Sequence, residues 1–135
     1  AGWDWLGLRL SDGSDLMIYR LRARQGSSRE IVSGTFVRPD GGIRLLEGGE
    51  IRLAPGETWK SPGSGAAYPV RWRVAIPDER LILDARAVFP DQELVTAEST
   101  RVTYWEGLVD VTGESRGKNV TGEGYLEMTG TARAQ

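Results

Sequence analysis

The stretch Val70-Arg71-Trp72-Arg73-Val74-Ala75-Ile76 places Val70, Trp72, Val74 and Ile76 on one face of an extended chain and Arg71 and Arg73 on the other. A strand with one face in a core and one in solvent has that period. After a turn at Pro77-Asp78-Glu79 the pattern repeats, with Leu81, Leu83, Ala85, Ala87 and Phe89 opposite Asp84 and Arg86, so the two runs predict a hairpin. Outward from it, 18 Gly and 6 Pro cut the 135 residues into runs of strand length. Further strands are expected over 3–10, 15–23, 30–38, 42–47, 50–54, 101–112 and 118–130. The turns between them fall at Ser11-Asp12-Gly13, Pro39-Asp40-Gly41-Gly42, Gly48-Gly49 and Glu114-Ser115-Arg116-Gly117. Residues 91–98 could form a short helical turn, and 55–69 reads as a long loop. Many short strands joined by hairpin-sized turns permit a β-sandwich or a barrel, and the regular hairpin order favours an all-β, antiparallel up-and-down β-barrel of about eight to nine strands, which can be wide enough for one small ligand.

Composition narrows the chemistry. The length suits a single domain, 1–135. With no Cys and no His, disulfides, thiol nucleophiles, His-based triads and the usual zinc, copper and haem ligands are all missing, and no metal or cofactor is expected. A net charge of −2 argues against nucleic acid as a partner. No apolar run approaches the ~18 residues of a membrane span. The chain opens at Ala1 and reaches a strand by Trp3, which reads as a mature product or an excised domain. Asp12 and Asp15 around Gly13 lack the spacing of a calcium loop and read as a hairpin turn, and the Asn119-Val120-Thr121 triplet is read as a chance sequon.

Two strands are apolar on both faces. In 3–10, Trp3 and Trp5 oppose Leu6, Leu8 and Leu10; in 101–112, Val102, Tyr104 and Leu108 oppose Thr103, Trp105, Val109 and Val111. Their outer faces should be covered, by the 55–69 loop or by another domain. Inside, Ser33, Thr35, Ala85, Ala87, Gly107, Gly122 and Gly124 are small and suggest a lumen, although the glycines could equally mark bends that close the sheet. Trp72, Trp105 and Phe89 should line that interior, as ligand wall or as core. The candidate catalytic acids are Asp4, between Trp3 and Trp5, and Glu106, between Trp105 and Gly107. A carboxyl among aromatic rings is desolvated and can stay protonated at neutral pH; the alternative is an outward carboxylate paired with Arg.

Several landmarks occur in a distinctive order: Trp3-Asp4-Trp5-Leu6-Gly7-Leu8, Asp15-Leu16-Met17-Ile18-Tyr19-Arg20-Leu21-Arg22, Thr58-Trp59-Lys60-Ser61-Pro62, Tyr68-Pro69-Val70-Arg71-Trp72, Thr103-Tyr104-Trp105-Glu106-Gly107 and Gly122-Glu123-Gly124-Tyr125-Leu126-Glu127-Met128-Thr129-Gly130. Over essentially its whole length the chain resembles the carboxy-terminal domain of the AttH family, the group that includes hydroxyneurosporene synthase (carotenoid 1,2-hydratase) and predicted secreted hydrolases. The resemblance implies a lipocalin-like (calycin) barrel corresponding to the second half of a tandem two-barrel protein, with a ligand cavity at or near the barrel–barrel junction. It also implies an apolar small molecule of isoprenoid or polyene type as ligand. Trp72, Phe89 and Trp105, with Tyr19 and Tyr104 of the matching stretches, are the expected ligand-binding side chains. A hydratase or cyclase of this kind would work without a cofactor, a carboxylic acid protonating an isoprenoid double bond before water adds. A third reading is a structural domain that docks a sister lipocalin-like domain, or a second copy as a homodimer. The resemblance, together with fifteen Arg against two Lys, places the protein in the periplasm or outside a bacterial cell.

Overall fold

The computed structural model describes residues 2–22, 30–95 and 103–129. Its strands are β1 (Gly2–Leu10), β2 (Asp15–Arg22), β3 (Ile31–Val37), β4 (Ile43–Glu47), β5 (Arg52–Pro55), β6 (Thr58–Lys60), β7 (Ala67–Pro69), β8 (Arg71–Ile76), β9 (Leu81–Ala87), β10 (Glu93–Val95), β11 (Thr103–Ser115) and β12 (Lys118–Thr129). The main sheet runs β4-β3-β2-β1-β12-β11-β9-β8-β5, and β10 adds to β11 beside β9. Every pairing is antiparallel, and the first and last strands are neighbours. The antiparallel sheet curls into a half-barrel, an all-β fold of the lipocalin-like kind that the resemblance implied.

Turn chemistry sets the registers. Arg116 (φ 52°) and Gly117 (φ 80°) are both left-handed, the two-residue hairpin loop whose twist matches its strands, and Ser115 pairs with Lys118 across it. The registers put Leu6, Leu8, Leu16, Ile18, Trp72, Val74, Leu83, Trp105, Leu126 and Met128 on the concave face, where all are buried. Each such side chain contributes about 1.5–3 kcal/mol relative to exposure. Gly122 and Gly124 are the bends that the sequence left open. On this tightly curled face a Cβ at either would run into the backbone oxygens of Arg9 and Gly7, so β12 wraps closely on β1 only because both are glycine.

The sheet edges β4 and β5 follow one another in the chain, yet among the described residues they are not hydrogen-bonded to each other. Side chains tie this part of the barrel together instead. Glu79, in the turn between β8 and β9, is 3% exposed and accepts hydrogen bonds from Arg38 Nη2 (2.6 Å), Arg44 Nη1 (3.1 Å) and Arg116 Nη2 (3.4 Å). Arg44 also reaches Glu50 (2.6 Å) and Asp78 (3.2 Å), so one guanidinium links β4 to both neighbouring turns.

Four local expectations change. The 55–69 segment is not wholly a loop: β6 and β7 form a hairpin in which Trp59 and Tyr68 stack at 6.3 Å. Its Tyr68 and Ala66 enter the core, and Ser61 and Ser64 donate to Glu93 on β10. Residues 93–95 are strand, not helix, because they pair with the part of β11 that β9 leaves free; 96–98 lie outside the described residues. Ser33 and Thr35 face outward, since pairing with β2 turns Gly34 and Phe36 inward. Phe89 is 52% exposed rather than interior, because β9 ends at Ala87 and the chain bends through Val88 to Pro90.

Candidate functional site

Asp4 lies on the concave face of β1, opposite Arg20 of β2 and Met128 of β12, and Met128 in turn faces Trp105. The carboxylate is completely buried and accepts from Arg20 Nε and Arg22 Nη1, both at 2.8 Å. Arg20 lies over the Trp72 ring, 5.0 Å from its centroid, a cation–π contact. Burial pushes the Asp4 carboxyl above its ordinary range; the Arg22 and Arg20 charges oppose the shift without cancelling it. Among the described residues, one Arg22 nitrogen, Nη2, is buried with no hydrogen-bond partner. The sequence flanks Asp4 with Trp3 and Trp5, but alternation turns both indoles to the other face, and the groups that bond its carboxylate are the guanidiniums of Arg20 and Arg22.

Glu106 points the opposite way from its neighbour Trp105, onto the convex face, where it sits directly across from Glu127. The two candidate acids are therefore on opposite sides of one sheet and do not converge on a single substrate. Trp72 and Trp105 are both buried on the concave face, and their indole N–H groups donate to the carbonyls of Pro69 (3.2 Å) and Pro90 (2.7 Å). Tyr19 and Tyr104 lie on the convex face and Phe89 beyond the end of β9, so the five expected aromatic side chains do not form one wall.

A groove of about 630 Å³ opens on the convex face, floored by Trp5, Gly7, Met17, Thr35, Leu108 and Tyr125. The Trp5 indole reaches over Gly7: a Cβ at Gly7 would stand 2.7 Å from the edge of the ring. Met17 (43%), Leu108 (54%) and Tyr125 (38%) are unusually exposed for such side chains. The β6–β7 hairpin is tied to β10 and leaves these side chains open. Burial, with Glu106 and Glu127 nearby, raises the Tyr125 hydroxyl above its ordinary range. The two-faced apolar strands 3–10 and 101–112 signalled this surface. The outward Met17 and the role of Gly7 as a bed for Trp5 needed the registers.

A family model described as AttH-like matches residues 1–131. The chain belongs to the AttH-like family. No curated protein sequence matches it. Among solved structures, this AttH-like chain is similar to the AttH protein of Nitrosomonas europaea, with 33% identity and a TM-score of 0.82 over 98% of this chain and 39% of that one. It is also similar in fold to kievitone hydratase of Nectria haematococca, with 21% identity and a TM-score of 0.77 over 95% of this chain and 39% of that one. The AttH-like chain thus spans about two fifths of the length of either structure.

Proposed function

We propose that this AttH-like barrel binds an apolar small molecule of isoprenoid or polyene type on its convex face, where the groove forms one wall of a junction with a sister domain. The observation that carries this reading is the contrast between the two faces. The concave face is filled by Trp72, Trp105, Tyr68 and the aliphatic core, whereas the convex groove is apolar, open and within the size range of small-molecule sites. Titration with a fluorescent conjugated-polyene fatty acid tests it, with energy transfer from tryptophan as the readout. Saturable micromolar binding is expected, weakened at least tenfold by Met17→Glu. Absence of saturable binding, or equal binding by the variant, removes the proposal.

The burial of Asp4 favours a second reading, an acid-assisted hydratase or cyclase like the hydratase that shares the fold. A carboxylic acid would give its proton to one carbon of a double bond, water would add to the cation at the other, and the water's surplus proton would return to the carboxylate. Asp4, with its raised affinity for a proton, is the candidate donor on the concave face, and Glu106 is the candidate beside the groove. Hydration of a terminal isoprenoid double bond, assayed with Asp4→Asn and Glu106→Gln, assigns the donor. Turnover unchanged in both variants eliminates these two acids.

A further inference from the structure

The registers place the exposed side chains of the convex face in rows across the sheet. The central row runs Leu108, Tyr125, Gly7 with Trp5 over it, Met17, Thr35 and Leu45, one position from each of six neighbouring strands. Beside it on one side stand Glu106, Glu127 and, at the far end, Glu47; on the other stand Asp110, Glu123 and Asp15. The basic residues in those flanking rows are Arg9, which is paired with Asp15, and Arg86 of β9, which stands opposite Asp110 at the end of its row. Among the described residues no ion pair neutralises Glu106, Glu127, Glu47, Asp110 or Glu123.

Two of these contacts are unfavourable within the chain itself. Glu106 is directly opposite Glu127, and Asp110 directly opposite Glu123, on either side of the Leu108–Tyr125 pair. Like charges in directly opposed positions destabilise an antiparallel sheet. A sequence that keeps two such pairs around an exposed apolar row departs from the pattern that would stabilise the chain alone, and such departures mark functional surfaces. The arrangement also disfavours a second copy. Row against row, two identical faces would bring acidic borders onto acidic borders, a juxtaposition that costs interfaces several kcal/mol.

We propose that this face docks a protein surface with an apolar centre and Lys/Arg borders, and that this surface is the remainder of the longer AttH chain. The solved relatives are about two and a half times the length of the segment matched here, so they hold chain enough for such a partner. The inference rests on reading the groove as one wall of a junction, and it names the chemistry of the opposite wall.

The probe for the test is a copy of this chain with reversed borders, Glu106→Lys/Glu123→Lys/Glu127→Lys, whose fold is first checked by circular dichroism. If it does not fold, Glu106→Lys/Glu127→Lys serves in its place. Sedimentation equilibrium at low ionic strength is expected to show wild type and probe each as monomers, and their equimolar mixture as a heterodimer. Raising the salt to 0.5 M, where the screening length is about 4 Å, should weaken that heterodimer at least tenfold. Leu108→Glu in the wild-type partner should abolish it. A wild-type homodimer would make the second copy the partner and overturn the proposal, as would a mixture that stays monomeric. Polyene binding without heterodimer formation would leave the ligand site standing and remove only the docking surface; heterodimer formation without polyene binding would do the reverse.

Discussion

Replacing Glu79 by Gln tests whether side chains hold the barrel together beside its unpaired edges. The carboxylate is 2% exposed and receives Arg38 at 2.6 Å, Arg44 at 3.1 Å and Arg116 at 3.4 Å. Arg116 is 64% exposed, so its contact is worth at most a few tenths of a kcal/mol, in the range of surface pairs. Arg38 and Arg44 are roughly one-third exposed and supply most of the effect. The substituted side chain would keep one acceptor oxygen but turn an amide NH₂ toward a guanidinium, and the arginines would lose their counter-charge. A hydrogen bond to a charged group contributes about 1.5–3 kcal/mol, and the partial exposure of the arginines brings the expected loss for the pair to about 2–3 kcal/mol. For a domain of this size that lowers Tm by roughly 7–12 °C. The deficit should also depend on pH. Hydrogen bonds from Arg38 and Arg44 hold the Glu79 carboxyl below its ordinary value of 4.5, against the opposing effect of burial. Stability from this group is therefore present above pH 4.5 and lost as pH falls through the depressed value. Thermal melts of wild type and Glu79→Gln from pH 7 down to pH 3 should converge at the acid end. A variant melting within about 2 °C of wild type at pH 7, or a deficit that does not shrink in acid, would refute the reasoning.

Asp4 should behave in the opposite sense: burial raises its carboxyl above 3.8, so its contribution is complete below that pH and declines as pH rises through the folded value. Carbon-13 NMR of labelled Asp should show one carboxyl titrating above 3.8 that vanishes in Asp4→Asn. At Gly107 a Cβ would strike the side-chain amide of Gln92, which accepts from Leu108 N at 2.9 Å and donates to Leu108 O at 3.2 Å, filling the gap on β11 between β9 and β10. Gly107→Ala should cost about 1–3 kcal/mol in urea denaturation, and most of that penalty should be absent when Gln92→Ala is the background. Gly124→Ala meets the Gly7 carbonyl instead, which cannot swing aside, so it should destabilise at least as much as Gly107→Ala with no single side-chain change relieving it.

The strand order was legible because period-2 alternation and turn residues act locally. Val70 to Ile76 announce a half-buried strand, and Arg116-Gly117 announce a two-residue turn, whatever surrounds them. The same logic exposed the convex surface, since Trp3 and Trp5 opposite Leu6 and Leu8 cannot all enter one core. Where local signals failed, a distant strand decided. Glu93 to Val95 became strand because β11 offered an unpaired edge, and Ser33 and Thr35 turned outward because pairing with β2 fixed the phase of β3. The candidate acids show the limit most sharply. Sequence singled out Asp4 and Glu106 by their tryptophan neighbours, but adjacent residues in a strand point to opposite faces, so sequence neighbours say little about the surroundings of a side chain. The partners that matter arrive from other strands: Arg20 and Arg22 from β2 to Asp4, and Glu127 from β12 to Glu106. Sequence alone thus determined that the chain alternates, turns and curls into a β-barrel of the AttH type. Tertiary structure alone decided that the concave side is packed and the open, acid-bordered face is the convex one, because register between strands distant in sequence sets which charges and rings meet.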